Sequence, residues 1–164
     1  MSRQDDASNS AGTASTTGTD ETTDTADDTE TGAPDSLLRR AGEVSYKSVD
    51  AAEGLEKGVL VAAEHGAPNF ALRRFTLDPG GSVPRHTNEI EHEQYVLEGE
   101  YVVGIDGTEY TVEAGDSLFV PAGVVHWYRN ESNSRGAFLC AVPNGDDEIR
   151  LAENASTDEG TSTE

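Results

Sequence analysis

The chain has 164 residues, which suits one domain, and carries a formal net charge of −21. Its cations are nine arginines plus Lys47 and Lys57. That balance excludes nucleic acid and anionic membrane surfaces as partners, because both demand basic patches. A single cysteine, Cys140, excludes an intrachain disulfide.

No basic start leads into an apolar run, and no apolar run reaches bilayer length. The expected location is therefore the cytoplasm. Abundant Asp and Glu with scarce Lys fits a halophilic cytoplasm, where dissolved ions screen the self-repulsion.

Taken in chain order, residues 1–36 are mostly Ser, Thr, Gly, Asp and Glu, as in "STTGTDETTDTADDTETG". Such a segment buries too little surface to offset its ordering entropy, so it reads as a disordered acidic tail. Residues 152–164 read the same way, which leaves 37–151 as the folded domain. "DSLLRRAG" suggests one short helical turn. "EVSYKSV" is a strand candidate.

From there, short apolar runs alternate with turn signals. "GVLVAAEH" runs into "GAPN", "FALRRFTL" into "DPGG", and "HEQYVLE" into "GE". "YVVGI" ends at "DG", a two-residue hairpin signal. "TEYTV", "SLFVP", "VVHWYRN" and "GAFLCAV" follow. Strand-like runs at a spacing of about 8–12 residues predict an all-β sandwich or barrel.

Alternation along a strand assigns faces. Ala71, Arg73, Phe75 and Leu77 share the face predicted to point inward. An inward Arg73 needs an ion partner or a place in a pocket. Phe138, Cys140 and Val142 likewise share one face and are candidates to line a cavity. Cys140 is weighed as a small buried hydrophobe ahead of any redox role. Gln94 shares the side of His92, and Tyr128 the side of His126, so either is a candidate for substrate contact. Tyr95 and Trp127 then face outward.

Two spacings point to a metal. His86 follows Gly80 after five residues, Asn88 is two further on, His92 four beyond that, and Gly99 closes the stretch. Residues two apart on a strand point the same way, so His86 and Asn88 face one centre. The excursion from Glu89 to Glu91 returns His92 to it. His126 arrives from a distant strand, in "GDSLFVPAGVVHWYRN", read as G-x5-P-x-G-x2-H-x3-N. Three neutral imidazoles would leave open positions on the ion, as Lewis-acid and oxygen-activating sites require. His65 lies outside both spacings and reads as a surface residue. Glu93 is a second-ranked alternative ligand, because alternation sets it opposite His92.

These two stretches resemble the paired motifs of the cupin superfamily, over a motif core of residues 66–143. The resemblance implies a single double-stranded β-helix, or jelly roll, with one mononuclear metal site. The first family motif is G-x5-H-x-H-x3-4-E-x6-G. Here Asn88 replaces its second histidine and His92 its glutamate. With "EHEQYVLEGE", the chain looks like the small four-histidine manganese cupins. The resemblance therefore implies His86, His92 and His126 as metal ligands with Asn88 as the fourth position, and Mn or Fe ahead of Ni, Cu or Zn. It also implies a homodimer, for which "EVSYKSV" is the candidate exchanging strand.

Cupins host many chemistries, so fold does not fix function. The leading expectation is an oxidoreductase of dioxygenase type acting on a small organic substrate. The alternatives are a metal-dependent lyase or isomerase, and a non-catalytic small-ligand-binding module.

Overall fold

A computed structural model describes residues 36–145 and 147–152. The acidic segments read as tails thus lie outside the described residues, save for Ser36 and Ala152. Among the described residues the strands are β1 (Tyr46–Ser48), β2 (Glu53–Val61), β3 (Phe70–Thr87), β4 (His92–Glu98) and β5 (Glu100–Ile105). They continue with β6 (Thr108–Glu113), β7 (Ser117–Val120), β8 (His126–Arg129), β9 (Gly136–Pro143) and β10 (Arg150–Leu151). The fold is an all-β jelly roll: all-β as the alternating runs predicted, and a jelly roll as the motif resemblance implied. No helix of the described residues is long and apolar enough to cross a membrane.

Neighbouring strands run in the order β6-β5-β8-β3-β9-β4-β7, with β2 and β10 also paired to β3, and β1 to β2. Every strand pairing among the described residues is antiparallel, for instance β5 with β6 from Glu100 opposite Glu113 to Ile105 opposite Thr108. Asp106 and Gly107 make the turn between them, both at positive φ (49° and 78°). That is the geometry the "DG" signal predicts.

β3 organises the barrel. Its first half, Phe70–Leu77, pairs with β9, while Ser82, Val83 and His86 pair with β8. One strand therefore pairs with β9 before its bend and with β8 after it, within a single ten-stranded sheet. The sequence predicts a turn that ends the strand at "DPGG"; instead the strand bends there and continues. Leu77 faces Leu55 and Ser82 faces Glu53, so four residues of β3 bulge against the single Gly54. The bulge persists because its polar backbone is satisfied. Gly80 N–H donates to the Asn130 carbonyl at 2.9 Å, and Asn130 N–H donates to the Gly81 carbonyl at 2.9 Å. The Asn130 carboxamide, fully buried, donates to the carbonyls of Leu77 (3.0 Å) and Ser134 (2.8 Å).

Other boundaries also move. β2 begins at Glu53, five residues ahead of the apolar run, because "EGLEKG" is held by pairing with β3 rather than by its own pattern. The short helical turn falls at Ala41–Glu43, at the end of "DSLLRRAG". β1, the candidate for exchange, pairs with β2 of its own chain.

Leu55, Leu77, Val83, Val96, Tyr101, Val103 and Phe138 are buried together in one core cluster inside the barrel. Each contributes roughly 1.5–3 kcal/mol by leaving water. Gly99 closes the hairpin between β4 and β5 at φ 79°, where an added Cβ would meet the Arg135 carbonyl oxygen at 2.5 Å. Only glycine fits there.

Candidate active site

The two halves of β3, with β4, β8 and β9, enclose a cavity of about 70 Å³. That volume is enough for a few waters and too small for a drug-sized molecule. Its wall includes His86, Asn88, His92 and His126, together with Arg73, Phe75, Gln94, Tyr128, Phe138, Cys140 and Asp147, and Lys57 from β2. The second-ranked ligand Glu93 does not reach this cavity, whereas all but one of the first-choice metal ligands and pocket candidates do. The exception is Val142, which shares the inward face and is buried in the core. It pairs with Ala71, two residues past Cys140 along β9, outside the cavity wall.

His86 and His126 are directly opposed across β3 and β8. Their ring centroids are 4.1 Å apart, and His92 lies 5.6 Å from His126. The His86 Nδ1 sits 2.8 Å from the Pro84 carbonyl, and the His126 Nδ1 2.9 Å from that of Val124. A carbonyl only accepts, so both protons reside on Nδ1 and both Nε2 atoms present lone pairs. Burial lowers the pKa of His86, aided by nearby His92. Burial and the neighbouring His86 lower that of His126 to about 4. Both rings are therefore neutral at pH 7, the form that binds metals.

His92 is arranged differently. Its Nε2 donates to Asp147 Oδ1 at 3.1 Å. In this arrangement no three His, Cys, Asp or Glu side chains among the described residues converge as a metal cage. The chemistry of the unspent atoms nonetheless fits a cation. His126 Nε2, Asn88 Oδ1 and Gln94 Oε1 are buried and without a hydrogen-bond partner, and all three are lone-pair donors.

Asp147 is the site residue that sequence reasoning missed. It lies past the motif core, in "NGDDEIR", where one carboxylate among many carries no spacing signal. Asn88 Nδ2 donates to its Oδ1 at 2.7 Å. The Arg73 guanidinium pairs with its Oδ2 and also donates to Cys140 Sγ at 3.3 Å. Burial opposes the charge of Asp147, but the bonds from His92 and Arg73 outweigh it and hold the carboxyl well below its usual range. Arg73 is thus both things an inward arginine can be, a cavity residue and an ion-pair partner. Burial pushes the Cys140 thiol up, with Arg73 opposing, so the thiol form dominates.

Gln94 Nε2 donates to the Tyr128 hydroxyl at 2.6 Å. Burial raises the Tyr128 pKa, so the phenol keeps its proton. Tyr128 stacks on Phe138 at 5.5 Å and 8°, and Phe138 on Phe75 at 5.0 Å and 13°. Glu93 and Tyr95 face solvent. His65 lies outside the cavity, with its Nδ1 accepting from Ala62 N–H at 3.1 Å.

An antiparallel jelly roll with histidines from β3, β4 and β8 in the wall of its cavity defines a cupin barrel. Residues 73–142 match the cupin domain. A tetracenomycin polyketide synthase protein, TcmJ, of Streptomyces glaucescens is 32% identical over 103 residues, spanning 60% of this chain and 69% of that protein. The oxalate-binding protein of Thermotoga maritima is 37% identical over 70 residues, spanning 42% of this chain and 58% of that one, less than two thirds of its length. The polyketide cyclase RemF of Streptomyces resistomycificus superposes with a TM-score of 0.66 at 28% identity, over 73% of this chain and 89% of that one. The chain belongs to the cupin family.

Proposed function

We propose that this chain is a metal-dependent enzyme acting on a small, planar organic substrate, with proton transfer as its chemistry. The observation that carries the reading is the set of buried lone-pair atoms in the cavity wall without a hydrogen-bond partner among the described residues: His126 Nε2, Asn88 Oδ1 and Gln94 Oε1. His86, His126 and Asn88 would hold a divalent ion, joined by His92 on giving up its bond to Asp147. Mn or Fe suits these donors best, and such an ion supplies Lewis-acid polarisation or redox chemistry.

The chain's own groups support proton transfer over oxidation. Tyr128 spends its oxygen lone pair on the Gln94 amide, which leaves its proton free for a substrate oxygen. Asp147 is held as a carboxylate by Arg73 and bonds His92 and Asn88, so it positions those two side chains rather than taking up a proton. Tyr128 is thus the inward acid that a lyase, isomerase or cyclase needs. The stacked Phe75, Phe138 and Tyr128 favour a flat substrate and exclude water. The similarity to RemF and TcmJ, both named for polyketide chemistry, supports the same choice.

A second reading, an oxidoreductase of dioxygenase type, is favoured by the apolar Val49, Leu55 and Val83 in the cavity wall. Metal analysis of protein purified without added metal is the first test. Content near one transition-metal ion per chain is expected; a metal-free protein would leave the non-catalytic binding module standing. Turnover of a candidate substrate that persists without oxygen then favours proton transfer, whereas strict oxygen dependence favours the second reading.

A further inference from the structure

Among the described residues, Arg73 is the only buried lysine or arginine, at 6% exposure. Among the described residues its carboxylate partner is Asp147, which comes from the link between β9 and β10 rather than from a strand. Both oxygens of that carboxylate are served. Arg73 meets Oδ2, while Asn88 Nδ2 (2.7 Å) and His92 Nε2 (3.1 Å) meet Oδ1. The donors come from β3, from the residue after it, and from the start of β4, so the framework itself builds the receptor.

The fit is nevertheless incomplete on the arginine side. Asp147 engages one guanidinium nitrogen, Nη1; Nη2 turns to the Cys140 sulfur, and Nε is buried with no partner. A guanidinium binds a carboxylate best through two parallel N–H bonds. The receptor therefore offers more than Asp147 takes. Beside it, the Arg73 guanidinium lies 5.4 Å from the Phe75 ring centroid, at the head of the stack formed with Phe138 and Tyr128.

We infer that Asp147 stands in for the carboxylate of the natural ligand, and that Arg73, Asn88 and His92 form a carboxylate subsite for a small organic acid with a flat apolar body. The ligand enters by taking Asp147's place, and its ring lies along Phe75, Phe138 and Tyr128. The inference rests on the proposed function and names its substrate class; the subsite shares Asn88 and His92 with the proposed metal position, whereas its charged anchor, Arg73, belongs to the subsite alone.

Benzoate is the probe and benzamide its uncharged counterpart, titrated calorimetrically against the full chain both as purified and after chelation. The wild type is expected to bind benzoate saturably and benzamide not at all. Asp147→Asn removes the internal competitor and should tighten benzoate binding by about tenfold, as expected when the competent state is otherwise a minor fraction. Arg73→Met alone would strand a buried carboxylate, so the pair Arg73→Met/Asp147→Asn, which removes both charges together, is the loss-of-binding variant.

A wild type and an Asp147→Asn protein that fail to distinguish benzoate from benzamide would overturn the inference. So would undiminished benzoate binding in the double variant. Benzoate binding by a chain that purifies without metal would sink the metal reading and leave the subsite intact. A metal-loaded chain indifferent to benzoate would do the reverse.

Discussion

Asn130 Nδ2 donates to the Leu77 carbonyl at 3.0 Å, joining residues 53 positions apart at the bend of β3. The same carboxamide also donates to Ser134 O and accepts from the Ser132 backbone and hydroxyl. Asn130→Leu keeps the size but leaves buried carbonyls unpaired, at roughly 1–3 kcal/mol each. Thermal unfolding should show a loss of about 2–5 kcal/mol. A loss under about 0.5 kcal/mol would mean that the bulge holds itself.

His126→Ala removes a buried Nε2 lone pair facing the cavity. Metal content after dialysis should fall by about tenfold or more, whereas His65→Ala should leave it unchanged. Equal retention in the two variants would contradict the ligand assignment.

Asn88 is the position where this chain departs from the cupin motif. Asn88→His replaces a carboxamide oxygen by an imidazole and should strengthen binding of Zn or Ni, read by competition with a chelator. Unchanged affinity would place position 88 outside the coordination sphere. The substitution also deletes the Asn88 donor to Asp147, so benzoate binding is expected to weaken as metal binding tightens.

Tyr101 is 1% exposed, and its hydroxyl has no partner. Tyr101→Phe should therefore stabilise the fold by up to about 1 kcal/mol. Burial first, and then Tyr128 and Asp116, raise the phenol's pKa. A raised folded-state pKa means that stability is full below the unfolded value of about 10 and declines as pH climbs beyond it. Each such tyrosine adds about 1.4 kcal/mol of loss per pH unit there. Tyr128 behaves alike, so denaturant titrations above pH 10 should show Tyr101→Phe removing part of the alkaline loss and Tyr128 retaining the rest.

The strands with clean alternation were legible from residues alone. His92 to Glu98 alternates buried with exposed as far as Leu97, and "DG" marks its own turn. The three histidines, Gln94, Tyr128 and Cys140 were legible because period-2 geometry and two motif spacings agree. Where tertiary pairing overrode local signals, the reading failed. "DPGG" looks terminal until Asn130 supplies partners to the bend, and "EGLEKG" looks like a loop until β3 pairs with it. Asp147 was invisible for a different reason: its role depends on a long-range approach to Arg73, and nothing local distinguishes it from the acidic residues around it.

Because one continuous strand carries Arg73 before its bend and His86 after it, a single kink gauges the reach between the guanidinium and the His86 imidazole. Lengthening or shortening Asp78–Gly81 by one residue would reset that span without touching either terminus of it. Related barrels could thus be retuned to longer or shorter acids by altering a hinge that never meets the molecule it measures.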